Sequence, residues 1–272
     1  MVASSADHTA DPAALVSRLR SAGCVFAEEE AALLLAEASS AEQLEALVSR
    51  RVEGEPLEQV LGWAEFCGLR VAVAPGVFVP RRRTEALVAL GAELARAVDH
   101  PVVVDLCCGT GAIGVAIAHA VRGIELHAAD VDPAAVACAR QNVTMGQVHE
   151  GDLYAALPGD LRGRVDVLAV NAPYVPTADL PLLPPEARFH EPHVALDGGA
   201  DGLGLHRRTA AGAGEWLSSG GSLLIETGRH QAAGTAHACS DAGLVPEVVT
   251  GSESTVVRAI SAARRSSGTM TG

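Results

Sequence analysis

Near the start of the chain, apolar residues recur at helical spacing in three short stretches: Leu15 and Leu19, then Leu33 and Leu34, then Leu44, Leu47 and Val48. A stripe with that period lets a helix bury one face against its neighbours. Ser21-Ala22-Gly23 and Ser39-Ser40 separate the stretches, where stop and cap chemistry belongs. The pattern predicts a small helical domain over residues 1–55. From Pro56 it loosens. Between Gln59 and Val79 apolar residues partly alternate and Gly62, Gly68 and Gly76 punctuate them, which predicts a β-hairpin linker over 56–82.

From residue 83 to 260 short apolar runs alternate with helical patterns. The runs are Val102–Leu106, Ile124–Ala129, a weaker one at Gln147–Glu150, Val165–Val170, Ser222–Glu226, Val245–Thr250 and Val256–Ile260. The helices are Thr84–Ala97, Ala112–Val121, Pro133–Asn142, Leu203–Leu217 and His230–Ala242. Asp132 caps the third helix with Pro133 in its first turn, and Gly243 ends the last. This alternation predicts an α/β fold, one mostly parallel seven-stranded sheet with helices on both faces. No helix separates the last two strands, so they should pair antiparallel. A flexible tail is expected over 261–272, around Ser266-Ser267-Gly268-Thr269.

With 49% hydrophobic and 19% charged residues, the chain can bury a real core, and at 3% aromatics that core must be built from Ala, Val and Leu. All 20 basic residues are arginine; against 33 acids they leave a formal charge of -13, the wrong sign for a nonspecific nucleic-acid binder. The six cysteines form no C-x-x-C pair, so reduced thiols in a cytoplasm are expected. The first residues lack a basic-then-apolar leader, and no apolar run approaches the roughly 18 residues of a membrane span. The expectation is a cytoplasmic protein with no membrane partner.

The strongest local signal is the run from Val102 to Gly114, a buried strand entering a small-residue turn and then a helix. Backbone can approach a ligand closely there, and the helix N-terminus presents N–H groups to it. Gly109, Gly111 and Gly114 satisfy G-x-G-x-x-G, and Asp130 ends the next strand, where a carboxylate can hold two ribose hydroxyls. Alone, this fits NAD or S-adenosyl-L-methionine. Asp105, just before the turn, suits a cofactor bearing an ammonium and would repel a pyrophosphate, which favours S-adenosyl-L-methionine. Asp152 could accept from an adenine amino group while Leu153 packs on the ring, or it could merely cap a helix. Asn171-Ala172-Pro173-Tyr174 ends the fourth strand. An Asn oxygen and the next backbone carbonyl can accept both hydrogens of a planar NH2 group, with Tyr174 offering a face.

These blocks resemble the HemK/PrmC-type protein-glutamine methyltransferases. The likeness runs through Gly54-Glu55-Pro56-Leu57, Phe78-Val79-Pro80-Arg81, Thr84-Glu85, Asp105 to Gly111, Asp130, Asn171 to Tyr174, Glu191-Pro192, Ala195-Leu196, Gly199 to Leu203 and Glu226-Thr227-Gly228. The resemblance implies a Rossmann-like methyltransferase domain that uses S-adenosyl-L-methionine, and a helical domain that helps hold a class 1 peptide chain release factor. It implies methylation of the glutamine amide in that factor's Gly-Gly-Gln motif. Carried over position by position, it places Asp105, Cys107, Cys108, Gly109, Thr110, Gly111, Asp130, Asp152, Leu153 and Asn171 at the cofactor. Asn171, Ala172, Pro173 and Tyr174 fall at the acceptor amide. Three sites depart from the family pattern, and the segment Val143 to Val148 is short. Ala172 replaces the first proline of Asn-Pro-Pro-Tyr, Cys107 the first glycine of the turn, and Arg82-Arg83 a Pro-acid pair.

Methylation of an exocyclic amine in nucleic acid is the rival reading; the charge of -13 and the lack of a basic recognition segment oppose it. A noncatalytic cofactor-binding regulator is the other, opposed by retention of Asp105, Asp130, Asn171 and Tyr174. Cys107-Cys108 reads as packing rather than redox chemistry. His190-Glu191-Pro192-His193 reads as a substrate-side loop, because Pro192 breaks the helix that a two-histidine metal site needs; no metal is expected. Arg81-Arg82-Arg83, ahead of a helix N-terminus where cations are disfavoured, suggests a dock for an anionic partner surface.

Overall fold

The computed structural model describes residues 11–252 and 254–261. Asp11 opens helix α1 (Pro12–Ser21), its carboxylate accepting from Ala13 N at 3.0 Å. Helices α2 (Ala27–Glu37) and α3 (Ala41–Val52) follow, α3 capped by Ser40 through Gln43 N. Leu15, Leu19, Leu34, Leu44, Leu47 and Val48 form one apolar cluster. Leu33 is the exception. It sits at the surface while Ala27, Ala31 and Leu34, at i, i+4 and i+7 spacing, share the buried face of α2.

The expected linker starts as a short helix, α4 (Leu57–Leu61), whose Val60 and Leu61 join the helical cluster. A hairpin of β1 (Trp63–Phe66) and β2 (Leu69–Ala72) follows. Its two-residue turn has positive φ at both Cys67 (51°) and Gly68 (73°), the geometry that matches strand twist in tight hairpins. Phe66 and Val71 pack into the large domain's core.

That domain runs α5 (Glu85–Arg96), β3 (Val102–Leu106), α6 (Ala112–Ala120), β4 (Glu125–Asp130), α7 (Pro133–Asn142), β5 (Gln147–Glu150), β6 (Val165–Val170), α8 (Pro185–His190), α9 (Gly204–Trp216), β7 (Leu217–Thr227), α10 (Ala232–Asp241), β8 (Leu244–Thr250) and β9 (Thr255–Ser261). The seven strands β3 to β9 form one sheet in the order β5-β4-β3-β6-β7-β9-β8. Strands β3 to β7 are parallel, and β9 runs antiparallel to both neighbours. Every residue of β3 is buried, as a central parallel strand requires. Helices α5, α6 and α7 pack on one face and α9 and α10 on the other.

Most boundaries shift from expectation by only one or two residues, as between Ile124–Ala129 and Glu125–Asp130, and two differences carry structural content. β7 begins at Leu217 rather than Ser222, because Leu217 already pairs with Val165 before the register shifts to Val167–Ser222. Gly220 supplies a φ of 83° in that irregularity, so a strand reads as a break. Ser261 belongs to β9, and the remainder of the expected tail lies outside the described residues.

Candidate active site

The chain leaves β3 toward β4 on one side, while β6 lies on the other, so the loops after these strands border a crevice at the carboxyl edge of the sheet. A cavity of about 610 Å³ fills it. After β3 the backbone coils through left-handed residues, Cys107 (φ 59°), Gly109 (54°) and Gly111 (76°). Cys108 N donates to Ala129 O at 3.0 Å and Gly111 N to Cys108 O at 2.7 Å, closing the turn. A Cβ on Gly114 would lie 2.9 Å from Leu126 Cδ1 and 3.1 Å from Asp105 Cβ, so this glycine serves close helix-strand packing. Asn142, unmarked by any motif, ties the hairpin to the turn: its Nδ2 donates to Thr110 O and Ala72 O, and its Oδ1 accepts from Ala72 N.

Cys107, Cys108, Gly109, Thr110, Asp130, Asp152, Leu153, Asn171, Ala172, Pro173 and Tyr174 all border the cavity. Asp105 and Gly111 stand behind the wall. Asp105 is fully buried; its Oδ2 accepts from Gly114 N at 2.8 Å and its Oδ1 has no partner among the described residues. Burial pushes its carboxyl up to about 8, with Asp130 adding repulsion. The Asp130 carboxylate accepts from Gly109 N at 2.8 Å and Asp132 N at 3.0 Å. Burial raises its pKa and those backbone donors oppose the rise. Asp152 makes no side-chain cap bond; it pairs with Arg208 at 2.6 Å on the rim. Leu153 beside it is buried with φ 48°. The thiols of Cys107 and Cys108 are free and burial raises both, which keeps them protonated and inert.

Across the crevice, Asn171 follows β6. Its Nδ2 reaches Thr84 Oγ1 at 3.5 Å, and among the described residues neither its Oδ1 nor the Ala172 carbonyl accepts a hydrogen bond. Tyr174 is held at both ends. Its hydroxyl accepts from Arg83 Nη2 at 2.8 Å, its carbonyl from Gln231 Nε2 at 2.8 Å, and its ring stands 6.2 Å from that of His206.

Two of the three arginines are therefore already matched by acids and are not free to dock an anionic surface. Arg83 also pairs with the buried Glu226 at 3.3 Å, and Arg81 pairs with the buried Glu191 while lying over the Phe78 ring. Arg82 alone of the three makes no ion pair among the described residues. Glu191 follows α8, which stops at His190 ahead of Pro192. Among the described residues no group of three or more His, Cys, Asp or Glu is arranged to hold a metal ion. Glu186 of α8 borders the cavity and pairs at 2.7 Å with Arg51 of α3, which also grips Glu30 of α2 at 2.7 Å. The helical domain is thereby anchored to one wall of the site.

A family model described as Methyltransferase small domain matches residues 68–180. A release factor glutamine methyltransferase from Geobacter sulfurreducens is 42% identical over 190 residues, 68% of this chain and 65% of that protein. Another from Streptomyces coelicolor is 38% identical over 208 residues, 75% of this chain and 70% of that protein. The chain belongs to the release factor glutamine methyltransferase family. A 4-amino-L-phenylalanine/4-methylamino-L-phenylalanine methyltransferase from Streptomyces pristinaespiralis is also similar, 39% identical over 193 residues, 68% of this chain and 66% of that protein. The chain thus spans about two thirds of the length of these relatives. A methyltransferase from Pyrococcus furiosus shares the fold, with a TM-score of 0.54 at 14% identity over 72% of this chain and 90% of that one.

Within the release factor glutamine methyltransferase pattern, the three departures acquire physical content. Cys107 adopts the left-handed conformation of the glycine it replaces, at a cost of about 1 kcal/mol. Ala172 keeps its backbone carbonyl, and its side chain is buried. Arg83 faces Glu226, where an acid would have met a second carboxylate. Residues outside the sequence-predicted site also stand here: Thr84, Arg83, Gln231 and Glu186. Thr84 lay inside a block of the resemblance, but the partners of the other three are 57 to 143 residues away in the chain. No local pattern signals such pairs.

Proposed function

We propose that this chain transfers a methyl group from S-adenosyl-L-methionine to the side-chain amide nitrogen of a glutamine, in the Gly-Gly-Gln motif of a class 1 peptide chain release factor. The observation that carries the reading is the pair of adjacent acceptors, Asn171 Oδ1 and the Ala172 carbonyl. Both border the cavity without a protein donor among the described residues.

The residues present fit the cofactor. Asp130 has lone pairs left for two hydroxyls beyond its two backbone donors, Leu153 and Ile113 offer apolar surface, and the buried Asp105 Oδ1 behind the turn has no partner among the described residues; a cofactor ammonium bound nearby would favour its ionised form. When bound, S-adenosyl-L-methionine presents an electrophilic methyl group on a sulfonium. The chain's own contribution is positioning. An amide nitrogen is a poor nucleophile because its lone pair is delocalised. Asn171 Oδ1 and the Ala172 carbonyl would each accept one N–H of the glutamine amide, fixing its plane. The Tyr174 face would pack beside it and favour the positive charge that develops on nitrogen. Arg81 and Arg83 are matched by Glu191 and Glu226, so this wall suits a neutral acceptor.

The test is incubation of the full chain with labelled S-adenosyl-L-methionine and a purified release factor, followed by peptide mass spectrometry. One methyl group on the Gly-Gly-Gln glutamine is expected. Labelling of 4-amino-L-phenylalanine in a parallel arm, with none on the protein, would replace the release factor with a free amino-acid acceptor. Labelling of RNA or DNA alone would overturn the amide reading.

A further inference from the structure

Resting on the amide reading, we propose that Arg83 is a positioning residue for Tyr174, pinning the hydroxyl end of the ring and so fixing where its face stands beside Asn171. Three separate segments meet at this guanidinium. Arg83 lies in the turn before α5, Tyr174 follows β6 and Glu226 is the next-to-last residue of β7. Nη2 donates to the Tyr174 hydroxyl at 2.8 Å and Nε to Glu226 Oε1 at 3.3 Å.

The backbone of Tyr174 is already fixed. Its carbonyl accepts from Gln231 Nε2 at 2.8 Å, and a Cβ on Gly202 would come within 2.2 Å of the same oxygen, so only glycine allows that approach. The side chain is held separately. The His206 ring stands 6.2 Å away, tilted by 51°. A hydrogen bond at the distal oxygen restricts the side-chain torsions, and groups preset in this way spare the reaction the cost of ordering them.

Arg83 is itself set in place. A cation ahead of a helix N-terminus is disfavoured, and here Glu226 compensates it. The Glu226 side chain is 1% exposed and its Oε2 has no partner among the described residues, so its charge holds the guanidinium in one place. Glu226 thus anchors Arg83, and Arg83 orients Tyr174.

The experiment is a set of mutant cycles on the full chain: Arg83→Met, Tyr174→Phe, the double variant, and Arg83→Met combined with Glu226→Gln. Turnover of the wild type on a release factor tests the underlying reading by itself. The ratios among variants, taken on whichever acceptor the wild type methylates, test the positioning. Arg83→Met and Tyr174→Phe should each lower kcat by about 10-fold to 100-fold, and the double variant by no more than either alone. The KM for S-adenosyl-L-methionine should stay within about twofold. Adding Glu226→Gln to Arg83→Met should restore thermal stability without restoring kcat. Multiplied losses in the double variant would overturn the proposal. So would recovery of kcat by Glu226→Gln, which would reduce Arg83 to a counter-charge, or wild-type kcat in Arg83→Met.

Discussion

Asn171→Ala separates positioning of the acceptor from everything else the fold does. Among the described residues, the only hydrogen bond the substitution removes is the 3.5 Å contact to Thr84, at the limit of useful geometry, and Asn171 is half-buried. Stability should therefore change by less than about 1 kcal/mol. Asp130 and the turn after β3 lie on other strand ends, so the dissociation constant for S-adenosyl-L-methionine should stay within a few-fold. Chemistry should suffer far more. One preorganised hydrogen bond aimed at developing charge is worth roughly 3 kcal/mol, so kcat should fall by about 10²–10³. Single-turnover transfer of a labelled methyl group reads the rate, calorimetry the cofactor affinity and a thermal melt the fold. Ala172→Pro is the companion: the Ala172 N–H donates to no group among the described residues, and proline keeps the carbonyl, so the rate should match or exceed wild type. Wild-type turnover in Asn171→Ala would refute the acceptor geometry even with fold and cofactor confirmed.

Asp130→Ala should weaken cofactor binding by up to about 3 kcal/mol for each ribose hydroxyl left without its acceptor, and an unchanged dissociation constant in calorimetry would remove Asp130 from the site. Asp105 makes the free protein sensitive to base. Its folded pKa, raised to about 8, exceeds that of the unfolded chain, so stability is full below about pH 4 and drains away as the pH climbs through 8. The melting temperature should fall from pH 6 to 9, and Asp105→Asn should flatten that slope; parallel slopes would show that another group is responsible. Arg51→Ala should cost about 3–5 kcal/mol, because it strands Glu30, whose side chain is only 10% exposed. Glu186→Gln should cost under about 1 kcal/mol, since Glu186 is 49% exposed. Equal losses in denaturant melts would contradict this ranking.

The sheet was readable because parallel strands buried on both faces are runs such as Val102–Leu106 and Val165–Val170, which few other structures tolerate. The turn after β3 and the strand-end motif were readable because glycines and an Asn-x-Pro tetrapeptide carry backbone demands of their own. Short helices were not. α4 and α8 are five and six residues long, too brief to show a period, and are held by tertiary contacts such as Gln59 Nε2 to Val77 O and Glu186 to Arg51. Of the arginine run, Arg81 and Arg83 read as part of a dock for an anionic surface because nothing adjacent reveals Glu191 or Glu226, more than a hundred residues downstream. Asp152 stood open between an adenine contact and a helix cap; its side chain makes no cap bond and turns to Arg208, a partner 56 residues downstream that no local pattern marks.

β9 comes last in the described chain yet threads between β7 and β8, pairing with both along seven- and eleven-residue strands. Vectorial synthesis therefore meets a delay. Until residues 255–261 emerge from the ribosome, the nascent chain holds β7 with an open rim of N–H and C=O groups, and β8 has nowhere to dock. Ile225, Leu224 and Leu223, all fully buried in the finished sheet, stay accessible to chaperones or to other chains during that interval. A nonsense mutation at Thr255 would thus spare every residue discussed at the crevice, and the truncated chain should still be insoluble.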